Sequence, residues 1–160
     1  DAYENGVQMV SDLILEEDQS PSFFIWAAKG PSKTSLQRIQ IIKGWVEDGE
    51  GKEAVIDVAC SDGLSVDPDT NRCPDNGATV DLTNCEITPD KGAKELSVVW
   101  RDNNFSQDQR AFYYVRVLEN PTCRWSTYDA IRAGVQPRPG MKATIQDRAW
   151  SSPIWYQPNT

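Results

Sequence analysis

RAFYYVRVLE, residues Arg110–Glu119, is apolar on both parities for most of its length. A strand of that kind is covered on both faces and sits centrally in a sheet. Asn120-Pro121 follows and stops regular pairing, because proline brings no N–H to a ladder. Upstream, Leu36–Glu47 (LQRIQIIKGWVE) puts Ile39, Ile41 and Trp45 on one parity and Arg38 and Gln40 on the other, the alternation of a half-buried strand. The tract 47–51 (EDGEG) reads as a hairpin turn into Glu53–Ser61 (EAVIDVACS). Ser22–Lys29 (SFFIWAAK) is a compact apolar run closed by the turn signal Gly30-Pro31. Ala78–Ile87 (ATVDLTNCEI) and Ala93–Arg101 (AKELSVVWR) are two further expected strands, the second with Leu96, Val98 and Trp100 facing one way. Ala149–Tyr156 (AWSSPIWY) is the last, and Pro153 assigns it an edge or a bulge.

Helical signals are sparse. Tyr3, Val7, Val10 and Ile14, spaced 4, 3 and 4, predict a short amphipathic helix that Pro21 ends. Thr127–Ala133 (TYDAIRA) is a second, with Ser126 placed to cap it and Gly134 to close it. About seven short strands with one or two short helices give a mainly β chain, an Ig-like or Greek-key β-sandwich. Residues 21–160 read as one such domain, and 1–20 as a linker or short helix of a preceding domain.

The chain has 160 residues, ordinary for one domain. Sixteen basic against 24 acidic residues leave a net charge of -8 and a pI near 4.5, a field that repels phosphate backbones and anionic lipid. Nucleic acid and membrane are therefore not expected partners. No histidine is present, which excludes His-based metal sites and Ser-His or Cys-His nucleophiles. No apolar run approaches the roughly 18 residues of a membrane-spanning helix. The opening Asp1-Ala2-Tyr3-Glu4 carries neither an initiator Met nor a signal peptide, so a longer parent protein is expected.

Cysteines stand at 60, 73, 85 and 123, with no Cys-x-x-Cys knuckle for zinc or redox work. Two disulfides and a periplasmic or secreted location follow as the expectation. Three pairings are open from sequence, and proximity favours Cys60–Cys73 with Cys85–Cys123.

Five groups of residues invite a functional reading. Asp67-Pro68-Asp69-Thr70-Asn71, with Asp75 beyond, alternates oxygen ligands as a calcium loop does, but Arg72 stands where such a loop wants glycine and Ala78 where it wants a bidentate Glu. A solvated turn is the preferred reading. Asp62-Gly63 and Asn76-Gly77 read as turn signals and nothing more. Among six tryptophans, Trp45 and Trp100 belong to the core by parity, while Trp125, Trp150 and Trp155 lie among polar or turn residues and are candidates for exposure. Arg116 is a charge inside the most apolar strand and needs a carboxylate or carbonyl partner. Arg124 and Asp129 read either as a structural ion pair tying helix to sheet, or, with Trp125 and Tyr128, as part of a contact face. A pair of carboxylates could serve a glycosidase, but no pair stands in a setting that would raise a pKa.

Leu36–Trp45 (LQRIQIIKGW), Arg110–Trp125 (RAFYYVRVLENPTCRW) with Ser126–Gly134, and Arg148–Tyr156 (RAWSSPIWY) resemble the C-terminal part of the bacterial family called domain of unknown function 3604. Its members look like relatives of the polymerase-and-histidinol-phosphatase (PHP) metallohydrolases, with a metal-binding barrel first and a β-rich portion after it. Around Gly6–Leu13 the family tends to read Gly-Val-Pro-Met-Gly-Gly-Asp-Leu, and this chain has Gln8, Val10 and Ser11 in place of the proline and both glycines. The resemblance implies a non-catalytic C-terminal domain of a secreted metal-dependent hydrolase. It would carry no cofactor itself, the divalent metal would lie in the parent barrel, and the preceding catalytic domain would be its partner. Arg124, Trp125 and Tyr128 are the expected interface, with Arg116 and Asp129 structural. A reading from another class is a stand-alone carbohydrate-binding module that stacks exposed aromatics, Trp150 and Trp155 foremost, on sugar rings.

Overall fold

Period-two alternation in five long strands produces two packed layers. The computed structural model describes residues 6–31 and 33–158. Its elements are β1 (Asp12–Leu13), β2 (Ser22–Ala28), β3 (Leu36–Glu47), β4 (Glu50–Cys60), β5 (Glu95–Arg101), β6 (Ala111–Glu119), β7 (Thr122–Cys123), α1 (Trp125–Ala133), β8 (Thr144–Ile145), β9 (Arg148–Trp150) and β10 (Ile154–Tyr156). The chain is mainly β, a sandwich of a large sheet and a two-stranded ribbon.

In the large sheet the order is β1-β10-β6-β3-β4, with β1 parallel to β10 and the other pairs antiparallel. β6 is central, as its two-sided apolar pattern requires. On the side of β6 away from β3, β9 and β10 form one broken strand: Arg148–Trp150 pairs with Arg116–Leu118, and Ile154–Tyr156 with Ala111–Tyr113. Pro153 lies in the break, where the Ser151 hydroxyl accepts the Val115 N–H at 2.9 Å and so keeps that donor satisfied. The ribbon pairs β2 with β5, Phe24 opposite Val99 and Trp26 opposite Ser97. Its inward residues Phe23, Ile25, Ala27, Leu96, Val98 and Trp100 pack on Ile39, Ile41 and Tyr113 of the large sheet. The Phe23 ring sits 4.8 Å from Tyr113 and 6.0 Å from Trp100. Trp45 is half-buried against the same core.

Three local expectations are corrected. No helix forms over residues 6–20, and Tyr3 lies outside the described residues. The Val10 N–H bonds to the Pro153 carbonyl (2.8 Å), and β1 pairs with β10 instead. Ala78–Ile87 is a tight loop with a single bridge, Val80 to Ile87. Its polar residues compete for the backbone: the Asp81 carboxylate accepts the N–H (2.8 Å) and hydroxyl (2.7 Å) of Thr83, and the Asn84 amide oxygen accepts the Glu86 N–H (2.8 Å). The helix starts at Trp125, not Thr127, and Ser126 lies inside it; Arg124 is the N-cap, with no side-chain cap. Thr127 anchors this helix through its hydroxyl, bonded to the Ala143 carbonyl at 2.8 Å. Gly134 closes it in the left-handed conformation, φ 65°.

Val10 is also left-handed, at φ 69°, in the place where the family resemblance puts a glycine. A β-branched residue there is strained by about 1–2 kcal/mol, partly offset in a glycine by its larger loss of freedom. Val10→Gly is therefore expected to stabilise the protein by about 0.5–1 kcal/mol, seen as a higher urea midpoint at unchanged slope.

Candidate functional site

Two buried polar clusters fix the long loop that follows β4. In the first, Asp57 is completely buried; its Oδ2 accepts Arg38 Nη1 at 2.8 Å and the Cys73 N–H at 2.7 Å, and its Oδ1 accepts Gln40 Nε2 at 2.6 Å. Arg72 approaches the same carboxylate at 3.5 Å. Gln40 in turn accepts Arg116 Nε at 2.7 Å, so a single row crosses β6, β3 and β4. Arg116 thus meets an amide oxygen, through which, among the described residues, it is linked to the Asp57 carboxylate. The Cys60–Cys73 disulfide closes this loop against β4.

The second cluster centres on Asn76, which is buried. Its amide donates to Asn120 Oδ1 (2.9 Å), Asp62 Oδ2 (3.0 Å) and Ser61 Oγ (3.2 Å), and its oxygen accepts Gln37 Nε2 (3.2 Å). Asp62 also takes the Gly92 N–H at 2.9 Å. Gly92 has φ 86°, and a Cβ there would stand 2.6 Å from Asn120 Nδ2. Asp62 and Asn76, read from sequence as turn residues alone, are therefore the clasp between three loops. Sequence gives no signal for this beyond the polar side chain in each turn dipeptide.

Burial pushes the Asp62 carboxyl up, but the bonds from Ser61, Gly92 and Asn76 and the charge of Lys91 outweigh it and hold it below the usual carboxylate range. A depressed folded pKa stabilises above the unfolded value of about 3.9 and loses that contribution as pH falls through the folded pKa. The Gly92 N–H should accordingly be freed only as pH falls past about 4 and on through that lower folded pKa. Amide hydrogen exchange at Gly92, rising before that of the β3 amides, checks it.

Asp67 uses its carboxylate on its own turn, accepting the N–H groups of Asp69 and Thr70, each at 2.9 Å. That is the solvated turn, with the oxygen facing backbone donors. Among the described residues no group of three or more His, Cys, Asp or Glu could hold a metal ion. All four cysteines are consumed in Cys60–Cys73 and Cys85–Cys123.

The exposed aromatics occupy three separate surfaces. On α1, Trp125 is 72% exposed, Tyr128 lies one turn on, and the Arg132 guanidinium sits 6.0 Å from the Tyr128 ring. Arg124 turns away from Asp129: its Nε donates to the Lys142 carbonyl at 3.1 Å, and no ion pair joins the two among the described residues. The outer face of the ribbon presents Phe24, Trp26 and Val99, all exposed, with Trp26 Nε1 3.4 Å from Glu95. Sequence reading missed this surface because Ser22–Lys29 is apolar on both parities. On the large sheet, opposite the ribbon, Trp155 is half-exposed and its ring lies 5.2 Å from Phe112 at 47°. Tyr114 stacks on Phe112 at 6.3 Å and 7°, and Trp150, paired with Arg116, lies exposed on the same face.

Fold and surface define a disulfide-stapled β-sandwich whose polar groups hold loops together and whose large aromatics face outward. The chain belongs to the family described as "Protein of unknown function (DUF3604)", whose family model matches residues 1–158. No curated protein matches the chain, and no solved structure does. No helix among the described residues is long and apolar enough to cross a membrane.

Proposed function

We propose that this chain is the non-catalytic β-sandwich domain of a secreted or periplasmic, PHP-like metal-dependent hydrolase, packing on the catalytic barrel and shaping its entrance. The observation that carries this reading is the face of α1. Trp125 and Tyr128 stand one helical turn apart, exposed, on an element held by the Cys85–Cys123 bridge just before it and by Thr127. Rigidly mounted tryptophan and tyrosine are the residues that dominate contact energies between protein surfaces. Two disulfides support an oxidising compartment. The divalent metal belongs to the barrel in this reading, and this domain supplies shape and stability to its surroundings.

The test compares Trp125→Ala in the domain with the same change in the protein that carries the barrel. The domain should melt as before, because an exposed side chain contributes within about 0.5 kcal/mol. The longer protein should lose activity, or its two melting transitions should separate. Unchanged behaviour of the longer protein removes the reading.

A further inference from the structure

We propose that the face of the large sheet opposite the ribbon is a binding site for a neutral, β-1,4-linked oligosaccharide, with Trp155 and Phe112 as its floor. The strand register sets the site in one straight row. Asp12 of β1 pairs with Trp155 of β10, Trp155 with Phe112 of β6, Phe112 with Gly44 of β3, and Gly44 with Glu53 of β4. Directly paired residues share a face of the sheet. Two rings and a glycine thus form the middle of a row whose two ends are carboxylates. At ~4.8 Å per strand, the four steps span about 19 Å, the length of a short oligosaccharide rather than of one sugar ring.

Gly44 makes the floor flat. A Cβ at this position would stand 2.3 Å from Phe112 Cζ, so the ring lies directly over the glycine. Trp155 on one side and Tyr114 on the other fix that ring in place. A groove of about 410 Å³ adjoins this floor at one end of the strands, and Gly44, Phe112, Trp155, Arg110 and Gln157 are among the residues that line it. Small-ligand sites are of this size, mostly apolar, with a few convergent polar groups.

A pyranose matches this arrangement group by group. Its C–H face is apolar and flat and needs a flat apolar wall. The hydroxyls around its perimeter need partners there: carboxylate acceptors from Asp12 and Glu53, N–H donors from Arg110 and Gln157. Carboxylates at both ends of the row, on a chain of net charge -8, repel uronates and phosphorylated sugars. A straight row of rings matches a straight β-1,4 chain better than a coiled α-1,4 chain. This site is separate from the α1 face, so either proposal can fail without the other.

Nuclear magnetic resonance of the protein titrated with cellohexaose, xylohexaose, mannohexaose and N-acetylchitohexaose tests it, with maltohexaose and polygalacturonate for comparison. At least one of the four β-1,4 hexasaccharides should shift the Trp155 indole N–H saturably, while the indoles of Trp125 and Trp26 stay still. Trp155→Ala should weaken that binding about tenfold or more, the equivalent of one good stacking contact. Arg110→Ala, a change at an exposed position, should weaken it without altering the melting point, and Trp125→Ala should leave it unchanged. The proposal is overturned if none of the four moves Trp155, if the shifts map to α1 or the ribbon, or if Trp155→Ala binds as before. Binding of maltohexaose or polygalacturonate alone overturns the β-linked, neutral assignment.

Discussion

Asp57→Ala is expected to cost about 3–5 kcal/mol, the penalty for leaving buried cationic partners without their counter-charge. Total stability of a domain is about 5–15 kcal/mol, so this one change removes a large part of it. The Asp57 side chain is fully buried and Arg38 is 16% exposed, so water reaches neither well enough to replace the bond. Gln40 and the Cys73 N–H lose their acceptor at the same moment, and Arg116 loses the partner of its partner. Asp57→Asn keeps the shape but gives up the charge and one acceptor oxygen, and should fall between wild type and alanine. Urea unfolding measures both. The rate at which a thiol reductant opens Cys60–Cys73 is a second readout, since Asp57 holds the Cys73 backbone; wild-type rates in Asp57→Ala would contradict the assignment.

Asp102→Ala should be comparably severe, about 3–5 kcal/mol, for the same reason, with a lysine as the stranded cation. Lys43 Nζ lies 2.6 Å from Asp102 Oδ2, with side chains 8% and 3% exposed. The same carboxylate accepts hydrogen bonds from the Tyr113 hydroxyl at 2.7 Å and the Asn104 N–H at 3.0 Å. Lys43 keeps the Asn104 carbonyl at 3.0 Å and the Trp45 ring at 5.4 Å, too little to replace a counter-ion. A Lys43→Met, Asp102→Leu pair should recover most of the loss, because an apolar pair of similar volume carries no desolvation cost. Burial, and then Asp102, drives the Tyr113 hydroxyl well above the ordinary tyrosine range. A raised folded pKa stabilises below the unfolded value of about 10 and loses that contribution as pH climbs. An ultraviolet phenolate titration should leave Tyr113 protonated until the protein unfolds, and should release it early in Asp102→Ala.

Sequence disclosed what period and parity can encode. β2, β3 and β6 lie within one residue of the runs that marked them, because each combines strict alternation or unbroken apolarity with a sharp turn signal. The nearest-neighbour disulfides were legible as a preference, and their residues are joined that way. The Ala78–Ile87 strand failed because Asp81, Thr83 and Asn84 bind their own backbone, a competition that a pattern of valine and leucine does not register. The helix expected at the start failed on register: Val7, Val10 and Ile14 all stand exposed, and β10 offered an unpaired edge that a helix could not use. The clasp of Asp62, Asn76 and Asn120 was illegible because its bonded pairs lie 14 and 44 residues apart. The aromatic floor was legible in part: Trp155 stood out as a candidate for exposure, but Gly44 gained meaning only when the register set it beneath Phe112.

The strand order also dictates a sequence of events in time. Within the large sheet, β3 and β4 are the one long pair joined by a tight turn, and such a hairpin closes in roughly 1–10 μs. Every other pairing waits for distant chain: β6 returns to β3 after some sixty residues, and β1 cannot dock until β10 has settled on β6. Topologies dominated by such non-local pairing fold in milliseconds to seconds. In that interval β3, with its run of isoleucines, offers a bare edge to any neighbouring chain. The loop closed by Cys60–Cys73 extends from the hairpin's own end and can lock before β6 arrives. Once formed, that bridge gives the hairpin a finished outer border without any contribution from β6.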